Sequence, residues 1–129
     1  MEKMIRILVV DDEQEVCDLL DEFLTKKGYE VFTALSGEEA ISRVREKKPH
    51  VILLDIKMPN MSGMEVLRQV KEIDEKIGII MITAVTGMET IKKALKMGVN
   101  DYITKPFDLE YLEKLLIGWR QVFMPDSLE

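Results

Sequence analysis

The chain has 129 residues, 47% of them apolar and 33% charged, with seven Gly and four Pro. At roughly 100–200 residues per domain this is one domain with its own core, neither disordered nor low in complexity. A net charge of −6 argues against direct nucleic-acid binding through a broad basic face, and the single Cys17 excludes an intramolecular disulfide or a cysteine-built zinc site.

The elements can be read in chain order. Ile5–Val10, apolar but for Arg6, is a first buried strand. Val16, Leu19, Leu20, Phe23 and Leu24 then recur at helical spacing up to Gly28. Tyr29–Leu35 is a more exposed strand. Ser36 with Glu39 forms a capping box ahead of Ala40, Ile41 and Val44. Val51–Leu54 is a second buried strand. Ser62 with Glu65 is another capping box, ahead of Val66, Leu67, Val70 and Ile73. Ile79–Ile82 is a third buried strand, and the longest apolar stretch, Ile77–Ile82, falls far short of the ~18 residues of a membrane span. A thin stripe of Ile91, Ala94 and Leu95 ends at Gly98, and Asn100–Ile103 is an edge strand. Asp108 caps a last helix carrying Leu109, Leu112, Leu116 and Trp119, and extending to Phe123. The domain is therefore placed at 1–123, with 124–129 as a tail, either the start of a linker or a cloning remnant. No signal peptide precedes the first strand, so a cytoplasmic location and no membrane contact are expected.

Strand and helix alternate five times with no hairpin turn, which calls for parallel strands and right-handed crossovers. The expected fold is α/β, a flavodoxin-like three-layer sandwich. Its five-stranded parallel sheet has the order 2-1-3-4-5, with five helices on both faces.

Ligands in such a sheet bind beyond the carboxyl ends of the strands. The first strand runs into Asp11, Asp12 and Glu13; the third delivers Asp55; the fourth ends at Thr83 and the fifth at Lys105. Two carboxylates ~4 Å apart repel by about 4 kcal/mol at an effective dielectric of ~20. The Lys105 ammonium and a divalent cation are the two candidates to offset this. Oxygen ligands without His or Cys point to Mg²⁺, with Mn²⁺ as a surrogate. A carboxylate can attack a phosphoryl group and form an acyl phosphate, and Asp55, on the central strand, is best placed to do so. Lys105 would hold a phosphoryl oxygen and Thr83 would donate to another.

Taken singly, each piece has a plainer reading. Asp11-Asp12-Glu13 suits a helix start, Lys105-Pro106 a turn, Cys17 a core position and His50 a loop; Met58, Met61 and Met64 suit packing. Lys92, Lys93 and Lys96 make a basic helix face, either solvated or a partner contact.

Together, Val9-Val10-Asp11-Asp12-Glu13, Leu54-Asp55-Ile56-Lys57-Met58-Pro59, Ser62-Gly63-Met64-Glu65, Thr83-Ala84 and Asp101-Tyr102-Ile103-Thr104-Lys105-Pro106-Phe107 resemble the receiver domain of two-component response regulators. The resemblance covers about residues 3–120. It implies a phosphorelay switch in which Asp55 is the phosphoacceptor. Asp11 and Asp12 would hold Mg²⁺, Asp12 more directly, with Asp55 and the Lys57 carbonyl as further ligands. Lys105 would meet the phosphoryl group, through a cis Lys105–Pro106 peptide. Thr83 and Tyr102 would be the switch pair, acting on an output face of the fourth helix, fifth strand and fifth helix. The donor would be a sensor histidine kinase or histidine phosphotransfer protein, the downstream effector is unassigned, and a homodimer through the fourth and fifth helices is compatible. Catalysis would be limited to the domain's own phosphorylation and dephosphorylation. Gly98-Val99 stands where the family more often has Gly-Ala, and Lys57 occupies a variable position.

Three rivals are weighed. A phosphatase of the haloacid dehalogenase type wants an Asp two residues after its nucleophile, where this chain has Lys57. A flavodoxin-like nucleotide carrier wants a Gly- or Ser/Thr-rich loop after the first strand, where acids stand instead. A phosphate-independent docking module is the third.

Overall fold

The computed structural model describes residues 4–127. Five strands, β1 (Arg6–Val10), β2 (Glu30–Ala34), β3 (Val51–Leu54), β4 (Gly78–Thr83) and β5 (Asp101–Thr104), alternate with five helices. The helices are α1 (Gln14–Lys26), α2 (Gly37–Lys47), α3 (Gly63–Ile73), α4 (Met88–Lys96) and α5 (Leu109–Phe123). All strand pairs are parallel, in the order β2-β1-β3-β4-β5. The three most apolar strands fill the centre, where every residue but Arg6 is buried, because only a strand covered on both faces buries its side chains on both.

Successive side chains alternate across the pleat, so the sheet sorts its residues into two cores. Leu8, Val10, Ile52, Leu54, Ile79 and Met81 meet Val44 of α2, Leu67 of α3 and Ala94 of α4. Ile7, Val9, Val51, Leu53, Ile80 and Ile82 meet Cys17 and Leu20 of α1 and Leu112 and Leu116 of α5. Helices therefore lie on both faces.

Two helix starts use the expected serines in different ways. Ser36 Oγ accepts from the Glu39 N–H at 3.2 Å while Glu39 reaches back to the Leu35 N–H at 2.6 Å. Ser62 Oγ accepts from the Glu65 N–H at 3.4 Å, but the Glu65 carboxylate turns to Arg68 and Gln69 instead of closing the box. Those partners hold the Glu65 carboxyl down at about 2. Asp108 caps α5 through the Glu110 N–H.

Three expected core positions are solvent-facing: Leu19 is 48% exposed, Leu95 52% and Phe123 57%. In α1 the buried line is Cys17, Leu20 and Leu24, and Leu19 sits about one helical step, ~100°, off it. The short α4 buries only Ala94. Phe123, at the last turn of α5, lies tilted on Trp119 with ring centres 6.1 Å apart. Strand β5 stops at Thr104, not Lys105, although the Lys105 N–H still bonds the Thr83 carbonyl at 2.9 Å. Beyond α5, Met124 packs against the α1/α5 core and Pro125–Ser127 form a 3₁₀ turn; Leu128 and Glu129 lie outside the described residues. Among the described residues no helix is long and apolar enough to cross a membrane.

Gly78 opens β4 directly beneath Trp119, and a Cβ there would collide with the indole Nε1. Because Trp119 is buried, it cannot swing aside freely. Gly78→Ala is expected to cost about 1–3 kcal/mol, the range of an overpacked core, read as a lower urea midpoint with a shifted Trp119 emission in the folded state.

Candidate functional site

The register delivers the acids to one rim. Val10 pairs with Leu54 and Leu54 with Met81, so the residues that follow, Asp11 and Asp55, leave neighbouring strands side by side. Backbone bonds extend the alignment past the strand ends: the Asp11 N–H donates to the Ala34 carbonyl and the Asp55 N–H to the Val10 carbonyl. By the same alternation that divides the core, Asp11 and Asp55 continue the line of Val9 and Leu53, and Lys105 continues that of Ile103, all on the α1/α5 side. Thr83 follows Met81 and Tyr102 pairs with it, on the opposite side.

The structure thus brings Asp11, Asp12, Asp55 and Lys105 together. One carboxylate oxygen from each aspartate lies within 4.8 Å of the others. Asp11 and Asp55 are buried and Asp12 is exposed. The Lys105 ammonium bridges the buried pair, donating to Asp11 Oδ2 at 2.7 Å and Asp55 Oδ2 at 3.0 Å, with Glu13 Oε1 at 3.7 Å. The remaining oxygens are held by the backbone two residues ahead: Asp11 Oδ1 accepts from the Glu13 N–H at 2.9 Å and Asp55 Oδ1 from the Lys57 N–H at 3.2 Å. The Lys57 side chain points to solvent, and the Lys105–Pro106 peptide is cis.

Burial raises the Asp11 pKa, with the Lys105 and Glu13 hydrogen bonds pulling against it and the Asp55 charge adding to it. Burial also works against the Lys105 ammonium, but its bonds to Asp11 and Asp55 outweigh that and raise its pKa. Burial, with Asp11 close by, pushes the Cys17 thiol up to about 11. Cys17 therefore stays protonated, and its S–H donates to the Asp11 backbone carbonyl at 3.4 Å.

Thr83 and Tyr102 converge on one residue. Thr83 Oγ1 accepts from the Val85 N–H at 3.3 Å, and the Tyr102 O–H donates to the Val85 carbonyl at 2.6 Å. Burial and then the Asp55 charge raise the Tyr102 pKa, so it remains a donor.

Two contributors went unread in the sequence. Gly63, expected only as part of a helix start and of the receiver resemblance and given no role at the site, donates its N–H to the Ile56 carbonyl at 2.8 Å, and a Cβ there would strike the Asp55 backbone oxygen. Its signal was the glycine at N1 of a capped helix, eight residues past Asp55. The Cys17 contact had no signal beyond an apolar helix position.

The donor set fits a hard divalent cation. Three carboxylates outnumber the one ammonium, Asp12 faces solvent, and among the described residues Asp12 forms no ion pair and no His or Cys side chain joins the cluster.

Residues 7–117 match the model of the response regulator receiver domain. Sporulation initiation phosphotransferase F of Bacillus subtilis (strain 168) is 38% identical over 105 residues, 81% of this chain and 85% of that protein. The transcriptional regulatory protein ZraR of Salmonella typhimurium is 40% identical over 112 residues, and the chain spans only 25% of its length. A CheY-like response regulator receiver domain protein from Methanospirillum hungatei JF-1 superposes with a TM-score of 0.92 at 27% identity, over 96% of this chain and 99% of that one. The response regulator TrrA from Thermotoga maritima, solved in complex with Mg(2+)-BeF, does so with a TM-score of 0.80 at 34% identity, over 89% and 98%.

Because burial raises the Asp11 pKa, its charged form weighs against folding at every pH above that raised value, and the penalty fades as pH falls toward the ordinary 3.8. Asp11→Asn, without divalent cations, is expected to stabilise the fold by about 0.5–2 kcal/mol at pH 7, with the gain shrinking in acid, as read from urea midpoints across pH.

Proposed function

The chain belongs to the receiver domains of response regulators, which are phosphorelay switches, and from that premise we propose that Asp55 is its phosphoryl acceptor. The observation that carries this is the Lys105 ammonium, seated between Asp11 and Asp55 at the carboxyl rim of the sheet. It marks where a transferring phosphoryl group would find its cation.

In the proposed reaction a phosphohistidine, on a sensor histidine kinase or a histidine phosphotransfer protein, is presented to the rim. An Asp55 carboxylate oxygen attacks phosphorus as the phosphorus–nitrogen bond breaks. The imidazole leaves and takes a proton, and an aspartyl acyl phosphate remains. Lys105 turns from the Asp55 oxygen to a phosphoryl oxygen, so the charge it neutralises is already in place. Asp11, Asp12, Asp55 and the Lys57 carbonyl would hold Mg²⁺, which when bound would screen the negative charge arriving on an acidic rim. Catalysis is confined to this protein's own acyl phosphate. Lys57 supplies no carboxylic acid two residues past Asp55 for a turnover phosphatase.

The same geometry supports a relay. The Thr83 hydroxyl accepts from the Val85 N–H and can offer its own proton to a phosphoryl oxygen. Moving Thr83 to that oxygen gives up Val85, which is also what holds the Tyr102 hydroxyl. Tyr102 is then free to turn inward, and the face of α4, β5 and α5 changes for an effector or a second copy of the chain. The phosphoryl group drives this only by favouring the rearranged state over the resting one.

Incubation with acetyl phosphate and Mg²⁺ is expected to add the mass of one phosphoryl group to the protein. Asp55→Asn, Asp55→Ala and removal of divalent cations by EDTA should each abolish the addition in intact-mass spectra. Undiminished labelling of both variants would place the acceptor elsewhere.

A further inference from the structure

At the opposite edge, where β1, β3 and β4 begin, the ends of α2, α3 and α5 enclose a half-open cleft of about 1110 Å³. That lies at the upper end of small-molecule sites and is room enough for a short length of chain. Its apolar lining includes the buried Val44, Ile77 and Trp119 and the exposed Phe123. Its wall carries Arg6, Arg45, Lys48, Lys71 and Lys76 against Asp74 and Glu75, a cationic excess on a chain whose net charge is −6.

Some of this charge serves the fold. α2 and α3 end here, and cations suit helix C-termini. Arg6 donates to the Lys47 and Lys48 carbonyls, and Lys71 to those of Glu75 and Ile77. Arg45 and Lys76 are exposed and form no ion pair among the described residues. The exposed Phe123 presents its ring beside the buried Trp119. Exposed cations around an apolar lining match acidic side chains flanking an apolar one. They do not form the buried donor cage that a small anion would require.

We propose that this cleft is a second binding site, for an acidic peptide segment of a partner protein anchored by an apolar side chain, remote from the phosphoryl rim. The acids meet Arg45 and Lys76, and the apolar anchor covers Phe123 and the edge of Trp119.

Trp119 is the one tryptophan of the chain and therefore a direct probe of the cleft. The test titrates the whole protein with an end-blocked Glu-Glu-Leu-Leu-Glu-Glu peptide and follows Trp119 emission. Lys-Lys-Leu-Leu-Lys-Lys and Glu-Glu-Gly-Gly-Glu-Glu peptides serve as controls. Saturable binding of the first peptide alone is expected. It should weaken about tenfold or more in Arg45→Glu/Lys76→Glu, with Arg45→Gln/Lys76→Gln in between and as the fallback should the reversal fail to fold. Phosphorylation by acetyl phosphate should be unchanged in both, since those positions lie away from the rim. No saturable change, equal binding of either control, or unchanged affinity in the charge variants would overturn the proposal. So would binding that appears only after Asp126→Lys/Glu129→Lys, because the chain's own acidic end would then be the occupant.

Discussion

The site depends on one ammonium held between two buried carboxylates. Lys105 arrives from just past β5, Asp11 from the end of β1 and Asp55 from the end of β3, across 94 and 50 residues of sequence respectively. Unpaired, Asp11 and Asp55 would be like charges out of water at close range, an arrangement relieved only by a cation or by protonating one of the two. The pairing stays incomplete, since the burial that raises the Asp11 pKa is only partly answered by the lysine. The acids therefore remain open to a stronger cation, and the lysine to a more highly charged oxygen.

Pleat alternation organises everything around this contact. One parity of the strands points Asp11, Asp55 and Lys105 toward α1 and α5, and the other points Thr83 and Tyr102 toward α3 and α4. The charged cluster and the Thr83/Tyr102 pair proposed to respond to it therefore sit on opposite sides of the same strand ends. Thr83 and Tyr102 are joined to one another through the backbone of Val85, whose N–H and carbonyl they engage. Gly63 fixes the other border, letting α3 start against the Asp55 backbone more closely than any side chain would allow.

Much of this was legible in the residues. The uninterrupted Val/Ile/Leu runs named the central strands, because two-sided burial leaves no polar positions. Strand ends then named Asp11, Asp55 and Lys105, since parallel order places those ends together. Three kinds of detail were not legible. The stripes place Leu19, Leu95 and Phe123 with the buried residues, because a run of leucines and aromatics fixes a helix face only to within a step of rotation. Glu65 was read as half of a capping box, but Arg68 one turn on competes for it with a charge-assisted bond. The Cys17 thiol and the Gly63 approach act through backbone atoms, which every residue carries and no sequence pattern marks.

The opposed charge of the two sheet edges gives the molecule a permanent electrical polarity. Carboxylates mark one pole and the Arg/Lys cluster the other, and the helix dipoles, positive at the N-termini beside the carboxylates, offset part of the difference. A charged macromolecule entering within about a Debye length, ~8 Å at physiological salt, exerts a torque before any contact forms. The domain is pre-aligned on approach, with its acidic pole toward a cationic visitor, and added electrolyte erases that alignment while leaving every bond in the core untouched.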